Sequence, residues 1–545
     1  MLRDSLFVVP LVALAASVVS ATAVAGPLLE LIGGSHGSAG LSARTTGASS
    51  SSAYFNPALL PTAEEEMTAG FFALRQEYDI HVAPRRGNED VPGGAPGENA
   101  TNTISPDQPL VPFPTVWLEQ GRDDMPGFQL EPRPRNAQSF SDFTTEEGGE
   151  CGPRTTCLFS VGLVREIFDE HLVLGFYGLF PMGHFQQARA FFNDEREQFF
   201  SNSLHPELYG DRLGSAEISF GMGSQVLPYL SVGVAFSTNV TNTGPTNTFV
   251  ADESDLSKTQ LDLEVNADSP MAPHFAVVYD ATERIRFTGT FHSVQKVEIS
   301  SDASNVLSEG STNETTVEYL FGYLPWSASV GTEYSLLEGG EDDTSVSVTA
   351  NAQYKHWADY RNRHNEAPLE AWSNTIDPTL GVRFGLASWK THIDLAYVSS
   401  PVPTQVGRTN YVDNDRMSAG FGVSCDFYLL GSLFRAGGQL QVHALPKRTH
   451  VKTTPPPTPT EAERSLPDGM NLADMPLFSS SYEPDYRYSN PQLVVDEIHD
   501  AARVNSSSGE PFVGREGLQT NNPGWPGFDS TAWMLGGGLH LSLLY

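Results

Sequence analysis

The C-terminal stretch decides the fold of this chain: residues 532–545 read AWMLGGGLHLSLLY. From Trp533 to Tyr545 every second residue is apolar or glycine, and the residues between are mostly small or polar, with Leu544 as the exception. A period of two places these two sets on opposite faces of a β-strand. Trp533 and Tyr545 lie twelve residues apart, a length of roughly 30 Å along the membrane normal at ~3.3 Å per residue and a tilt of about 40°. An apolar face of this length, with an aromatic residue at each edge, is typical of a transmembrane barrel strand.

The same alternation recurs upstream, for example at residues 346–355, 389–397, 417–427 and 434–443. Soluble β-sandwiches also alternate, because one face of each sheet covers a core. Alternation alone therefore leaves both classes of fold open.

The spacing of the predicted strands separates the two classes. Fourteen strands are predicted, at residues 66–83, 157–167, 171–181, 212–226, 228–241, 257–281, 284–301, 312–335, 344–358, 372–387, 389–399, 414–427, 431–445 and 531–545. Connections after even-numbered strands are short, and those after odd-numbered strands are longer, above all at 84–156 and 446–530. Short turns at one end, long loops at the other and an even strand count indicate an all-β, antiparallel outer-membrane barrel. The domain prediction is thus a barrel over residues 63–545 with two large extracellular loops.

Composition excludes several other classes of protein. The chain has 545 residues and a formal charge of −34, so its surface repels phosphate and nucleic acid is not an expected partner. Beyond residue 25 there is no run of 18 apolar residues, which excludes a protein that spans a membrane with helices.

The first 25 residues predict an export signal. An apolar run from Leu6 to Val19 is followed by Ala23-Val24-Ala25, the small-residue pattern of a cleavage site. The alternatives are a buried helix and a membrane anchor. Export into an oxidising compartment permits a disulfide between Cys151 and Cys157, although two free thiols remain the alternative.

Residues 26–62 do not fit the barrel wall. They are rich in Gly, Ser and Ala and show no alternation long enough to span a bilayer. Such a segment lies either in the periplasm or inside the barrel as a plug, and the prediction is an N-terminal plug at 26–62.

The segment and three later stretches carry a resemblance to a known family. The residues are Asn56-Pro57-Ala58, the stretch 179–183, the stretch 354–360, and the block formed by 400–403, 413–416 and 420–422. In this order they resemble motifs of the outer-membrane fatty-acid and hydrophobic-compound transporters of the FadL/TodX type. The chain departs from the family at Met182 and Ala358 and in its two large outer loops.

The resemblance implies a fourteen-stranded barrel with an N-terminal hatch that admits hydrophobic molecules. Ligands of the family bind an apolar site inside the barrel, the hatch shifts, and the ligand leaves sideways near the third strand. Asn56, Pro57 and Ala58 match the hatch motif, and the alternative is a plain turn before the first strand.

Two further groups of residues are candidates for the path that a ligand takes through the barrel. Leu28, Leu29, Leu31 and Ile32 form the apolar cluster of the segment and are candidates to occupy the ligand pocket, or simply to pack against the interior. Gly175, Gly178 and Pro181 permit a kink in strand three, because Pro lacks a ladder donor and Gly loosens a strand.

The alternation of side chains along the predicted strands also places charged residues on the interior face of the barrel. These are Glu217, Arg286, Glu333, Arg383, Asp394 and Arg435. Opposite charges in a narrow interior form structural networks, and the functional alternative is an Arg that pairs with a substrate carboxylate.

The remaining predictions concern partners and chemistry. We expect a hydrophobic small molecule such as a fatty acid or hydrocarbon, membrane lipid and lipopolysaccharide, the barrel assembly machinery, a monomer, and neither cofactor nor metal. The sequence has no zincin, nucleophile-elbow or phosphate-loop motif, so an enzyme is not predicted. A barrel hydrolase or protease and an adhesive barrel acting through its long loops remain the alternatives.

Overall fold

The computed structural model describes residues 28–34, 36, 40–82, 139–140, 155–168, 172–182, 216–239, 244–248, 261–268, 270–306, 312–337, 344–361, 367–368, 371–405, 411–451 and 527–545. The predicted export signal (1–25), Cys151 and most of the predicted loops 84–156 and 446–530 lie outside these residues. None of the described helices is long and apolar enough to cross a membrane.

The described chain is built almost entirely of antiparallel strands. They are β1 (Glu66–Val82), β2 (Ser139–Phe140), β3 (Thr155–Phe168), β4 (Leu172–Pro181), β5 (Glu217–Leu227), β6 (Leu230–Asn239), β7 (Gly244–Thr248), β8 (Leu261–Asp268), β9 (Ala272–Thr282), β10 (Ile285–His292), β11 (Gln295–Val306), β12 (Thr312–Leu324), β13 (Ser327–Leu337), β14 (Thr344–Lys355), β15 (Thr375–Leu386), β16 (Trp389–Val398), β17 (Arg416–Leu429), β18 (Ser432–Val451) and β19 (Gly527–Leu544).

Fifteen strands form one sheet, in which β2 is a two-residue strand beside β1. The other fourteen pair in order round a closed wall, because β19 also pairs with β1. That last pairing runs without a break from Glu66 opposite Leu544 to Val82 opposite Phe528. Closure leaves no edge strand in the wall and confirms the predicted fourteen-stranded barrel.

Four strands outside the wall correct the predicted boundaries. The predicted strands 257–281, 284–301 and 312–335 are each two strands, and their outer halves β8, β11 and β12 form a separate sheet with β7. Two of the breaks contain a proline, Pro270 before β9 and Pro325 between β12 and β13. Proline removes a ladder donor, so the chain leaves one sheet there and enters the next.

The outside of the wall is apolar and the inside is polar. On β16, Ile393 and Leu395 are 53% and 57% exposed, whereas Asp394 between them is 0% exposed. The same contrast holds on β19, where Leu539 and Leu541 face outward. An apolar exterior on a closed antiparallel barrel is the lipid-facing surface of an outer-membrane protein, so the chain lies in the outer membrane of a Gram-negative bacterium.

The two ends of the barrel differ in their connections. Two-residue turns join β5 to β6, β9 to β10, β15 to β16 and β17 to β18, all at the end where β1 begins and β19 ends. Ala387 and Leu430 have φ values of 50° and 55° in two of these turns. Such tight turns mark the periplasmic end of the barrel.

The lipid-facing belt makes a prediction about Leu395. This residue lies near mid-belt, six positions from Trp389 at the periplasmic turn. Leu395→Lys should destabilise the barrel by roughly 2–4 kcal/mol, because it places a charge at the bilayer midplane. The measurement is the fraction of protein that migrates as a folded, heat-modifiable species on gels.

The matched control is Leu430→Lys. Leu430 is 98% exposed in a periplasmic turn outside the belt. It should tolerate the same charge, and equal folded fractions for the two variants would contradict the assignment of the outer face to lipid.

Candidate functional site

Residues 28–62, hereafter the N-terminal segment, fold into short helices. They are α1 (Leu28–Ile32), α2 (Ala43–Thr46), α3 (Ser52–Phe55) and a 3-10 helix at Pro57–Thr62. Most of their side chains are buried. Hydrogen bonds run from the segment to β3, β5, β13, β14, β16 and β18. The segment therefore has hydrogen-bond partners on six strands of the closed wall.

Asn56 organises the end of the segment. Its side-chain Oδ1 accepts from the backbone N–H of Ala58 at 3.2 Å, and its Nδ2 donates to the carbonyl of Arg44 at 2.7 Å. Asn56 is 0% exposed. It therefore caps the 3-10 helix, which starts at Pro57, and joins that helix to α2.

Wall glycines make room for this turn. A Cβ added at Gly233 would lie 2.3 Å from the carbonyl carbon of Pro57, and one at Gly223 would lie 2.3 Å from the Pro57 oxygen. Neither distance is possible for a real side chain, so only glycine lets β5 and β6 approach the Pro57 backbone this closely. Gly175 of β4 likewise leaves space for Leu60, whose Cδ2 would lie 2.6 Å from a Cβ there.

The four apolar residues of α1 lie in the largest apolar cluster of the described chain. Leu28, Leu29, Leu31 and Ile32 are each at most 1% exposed. Wall residues of the same cluster include Phe72, Leu74, Leu158, Tyr177, Leu179 and Met534. Helix α1 therefore packs its apolar side chains in one buried cluster with these wall residues.

Glu30 gives the same helix a polar side. Its carboxylate is paired with Arg44, accepts from the Tyr54 hydroxyl at 2.9 Å and from Gln353 at 3.3 Å, and lies 4.0 Å from Lys355 Nζ. Burial alone would raise the pKa of Glu30, but Arg44 and Lys355 hold the pKa well below its usual range. Burial also keeps the pKa of Tyr54 well above its usual value. Glu30 is thus a charged link between α1 and β14.

A cavity of about 20 Å³ lies beside Glu30, bordered by Tyr54, His274, His292 and Gln295 among others. This volume accommodates about one water molecule. His274 and His292 lie opposite each other on β9 and β10, with ring centroids 4.0 Å apart. The sequence analysis missed this polar cluster, although strand parity places both histidines inside.

Asp394 anchors the middle of the segment to the wall. It accepts from the Leu41 backbone N–H at 2.9 Å, from the Ser42 hydroxyl at 2.8 Å and from Arg383 at 2.7 Å. It is 0% exposed. A buried carboxylate with this many donors is stabilised in place and holds the segment against β15 and β16.

Further hydrogen bonds anchor the rest of the segment. His36 contacts the Ser50 hydroxyl at 2.8 Å and the Ser160 hydroxyl of β3 at 2.9 Å. Burial lowers the pKa of His36 well below its usual value, so the neutral ring joins two hydroxyls. Gln441 of β18 donates to the Ile32 carbonyl at 2.5 Å.

Of the six charged residues predicted for the interior, four are buried and two are half-buried: Glu217, Arg383, Asp394 and Arg435 in the first group, and Arg286 and Glu333 in the second. Arg383 and Asp394 pair with each other. Arg286 lies 2.7 Å from Asp280 and 3.8 Å from Glu333. Arg435 pairs with Asp426 and Glu64, both at 2.6 Å. Glu217 is buried without such a partner.

The three residues proposed for a kink lie in β4, the third strand of the wall. β4 pairs with β3 as far as Pro181 but with β5 only as far as Leu179 opposite Glu217. Gly175 faces the N-terminal segment, whereas a Cβ at Gly178 would meet the Phe180 ring at 2.7 Å. Within the described residues, the β4–β5 pairing runs to Leu179 opposite Glu217, the first residue of β5.

Of the cysteines, Cys157 is disulfide-bonded and Cys425 is free. Cys151, the third cysteine of the sequence, lies outside the described residues, and its pairing with Cys157 stays a prediction.

No family model and no curated protein matches the sequence. Among solved structures, the chain is similar to a Pseudomonas aeruginosa FadL homologue, with a TM-score of 0.45 and 12% identity over 96% of this chain and 99% of that chain. The P. putida toluene transporter TodX gives a TM-score of 0.40 at 9% identity, covering 96% and 99% of the two chains. The Ralstonia pickettii toluene transporter TbuX gives 0.39 at 10%, covering 96% and 98%. These proteins are of the type that the sequence motifs resemble.

The close approach at Gly233 predicts how the segment can be displaced. Gly233→Ala introduces a methyl group at 2.3 Å from the Pro57 carbonyl carbon, which the backbone of the segment cannot accommodate. We expect the segment to shift and ion conductance in planar bilayers to rise, while the closed ladder keeps the barrel folded.

Gly289→Ala is the matched control. Its methyl group would meet nothing closer than Val277 Cγ1 at 3.2 Å. If both variants conducted like the unaltered protein, the Pro57 turn would not seal the barrel.

Proposed function

We propose that this protein is an outer-membrane channel for passive uptake of hydrophobic compounds, gated by the N-terminal segment. The observation that carries the proposal is the apolar interior cluster filled by α1. Leu28, Leu29, Leu31 and Ile32 cover wall residues that would otherwise form an apolar pocket. A short helix in that position is a stand-in for the ligand, and its displacement frees the pocket.

The physics of uptake favours such a pocket. Lipopolysaccharide slows apolar solutes, and a water-filled pore offers them no surface that is better than water. Transfer of apolar area into a dry pocket gains about 25 cal/mol per Å². A ligand of moderate size therefore gains enough free energy to compete with the four side chains of α1.

The hatch in this proposal is the turn at Asn56, Pro57 and Ala58. The Asn56 side chain couples that turn to α2 through the Arg44 carbonyl. Arg44 in turn pairs with Glu30 of α1. A ligand that displaces α1 thus acts on the turn through two polar contacts.

Lateral exit is proposed at the β4–β5 seam. Among the described residues, the ladder between these strands runs to Leu179 and Glu217, where β5 begins. Pro181 offers no donor beyond that point, and Gly178 leaves space below the Phe180 ring. A ligand that leaves through this seam would pass directly into the outer leaflet instead of the water of the periplasm.

A barrel hydrolase is the second candidate, because three buried histidines contact serine hydroxyls. Ser237 contacts His274 at 2.5 Å, Ser418 contacts His443 at 2.8 Å, and His36 lies between two serines. Among the described residues, no carboxylate hydrogen-bonds the second ring nitrogen of these histidines. Each contact is also fully buried, so the geometry favours a structural role over catalysis. For the adhesive alternative, the described residues offer no specific observation.

Asn56→Ala tests the hatch. It removes an acceptor for Ala58 and a donor for Arg44, two buried hydrogen bonds each worth about 1 kcal/mol. We expect initial uptake of radiolabelled toluene or an alkane to change at least twofold while barrel abundance stays constant. The assay uses cells that lack other importers of this type, with an empty vector as background.

Asn374→Ala is the control, because Asn374 accepts from the Ala358 N–H outside the segment. Uptake by the unaltered protein at the empty-vector rate would refute transport. Normal uptake by Asn56→Ala would retain transport but refute the hatch.

A further inference from the structure

The strand pair that closes the barrel carries an arginine on its lipid-facing side. Arg75 lies on β1 between Leu74 and Gln76, which are 0% and 1% exposed, whereas the Arg75 side chain is 55% exposed. Its partner on β19 is Leu535, which is 47% exposed. Because successive side chains of a strand point to opposite faces, Arg75 lies on the outer surface of the wall, next to an apolar residue of the lipid-facing belt.

The depth of Arg75 in that belt follows from the strand register. The belt on β19 extends from Tyr545, at the periplasmic end, to Trp533. Arg75 is opposite Leu535, so its Cα lies two residues below Trp533, or roughly 5 Å along the membrane normal at ~3.3 Å per residue and a tilt of about 40°. From this depth a long side chain reaches the level of the lipid headgroups while its stem stays against apolar surface.

The Arg75 side chain extends toward Trp533. Its guanidinium carbon lies 5.8 Å from the centroid of the Trp533 ring. This contact is an attraction between a cation and the face of an aromatic ring, and it uses the flat face of the guanidinium. The N–H donors lie in the plane of the group, so they remain available to an anion.

A second arginine of the outer surface differs from Arg75 in its acidic partner. Arg165 of β3 lies near the periplasmic end, with its guanidinium carbon 5.5 Å from the centroid of the Tyr545 ring. It also donates to Glu65 at 3.0 Å. Among the described residues, the nearest carboxylate oxygen to Arg75 belongs to Glu77, at 3.7 Å, which is beyond hydrogen-bond distance. Arg75 therefore keeps its donors for a partner outside the protein.

The position of Arg75 indicates the chemistry of that partner. A cation on the lipid-facing surface is destabilising unless the membrane supplies an anion near it. In the outer leaflet of the outer membrane, the anionic lipid is lipopolysaccharide, whose phosphate groups lie where its acyl chains meet its sugars. A guanidinium donates two parallel hydrogen bonds to a phosphate. With a formal charge of −34, the chain repels such a lipid unless a local cation faces it.

We propose that Arg75 and Trp533 form a binding site for a phosphate group of lipopolysaccharide, on the outer surface of the ladder that closes the barrel. The guanidinium donates to the phosphate oxygens, and the indole ring holds the guanidinium at headgroup level. An acyl chain of the same lipid lies against the exposed Leu535 and Leu539. The bound lipid covers the β1–β19 ladder and stabilises it. The site is independent of the proposed uptake function.

The test measures binding of lipid A, the phosphorylated lipid part of lipopolysaccharide, to the full-length protein in detergent. Native mass spectrometry gives the fraction of protein that carries one lipid A molecule at each concentration. Arg75→Gln should weaken the binding roughly tenfold, the loss expected for hydrogen bonds to a charged group. Lipid A should also raise the temperature at which the unaltered protein loses its folded band on gels, and Arg75→Gln should lose this rise.

Two further lipids separate phosphate recognition from general lipid binding. Lipid A without its phosphates should bind the unaltered protein and Arg75→Gln with equal, low affinity. Phosphatidylglycerol, whose phosphodiester carries a smaller charge than the phosphates of lipid A, should bind the unaltered protein less tightly than lipid A. Equal affinities for lipid A with and without phosphate, or for lipid A and phosphatidylglycerol, would overturn the proposal.

The matched control is Arg165→Gln, which removes the other arginine that lies over an aromatic ring of the belt. It should bind lipid A like the unaltered protein, and a loss equal to that of Arg75→Gln would show that the contact is not specific to this site. Arg75→Lys guards against misfolding of the glutamine variant. It keeps the charge, so it should bind lipid A more tightly than Arg75→Gln. Equal binding by these two variants, or an unchanged affinity of Arg75→Gln, would refute the site.

Discussion

The closing ladder between β1 and β19 is the contact on which the rest of the structure depends. A bilayer offers no hydrogen-bond partner to a backbone amide or carbonyl, so a sheet in lipid is stable only when it has no free edge. The unbroken pairing from Glu66 to Val82 meets that requirement. Because the closed ladder satisfies the backbone hydrogen bonds of the wall, no side chain of the inner face is needed for that purpose. The inner face can therefore carry buried charges and contacts to the N-terminal segment while the wall stays folded.

The N-terminal segment contacts the wall in two different ways. Glycines at 223 and 233 bring the wall backbone against the Pro57 turn, where any side chain would collide. Carboxylates such as Asp394 receive the backbone and hydroxyl groups of the segment. The glycines allow close packing, and the carboxylates accept directional hydrogen bonds that water or a ligand can replace. Both kinds of contact hold the segment against the wall, and in the proposed function the hydrogen bonds are exchanged when the segment moves.

The strands of the wall could be predicted from the sequence because each wall residue faces either lipid or the interior. Apolar and polar residues therefore alternate along each strand with a period of two. The strands it joined wrongly are those with Pro270 and Pro325, where one extended run passes from the wall into a second sheet. Parity also placed Asp394 and Glu217 inside. It did not reveal which donors bond to Asp394, since the Leu41 N–H that does so lies 353 residues away in the sequence.

The central claim, that the N-terminal segment must move for uptake, is tested most directly by locking it to the wall. The Cβ of Thr45 would lie 3.3 Å from a Cβ at Gly331 of β13, close to disulfide geometry. The variant Thr45→Cys/Gly331→Cys, in a Cys425→Ser background, should form a disulfide that mass spectrometry detects. The account predicts that hydrocarbon uptake falls to the empty-vector rate in the oxidised protein and returns after reduction. Undiminished uptake through a fully cross-linked protein would contradict it.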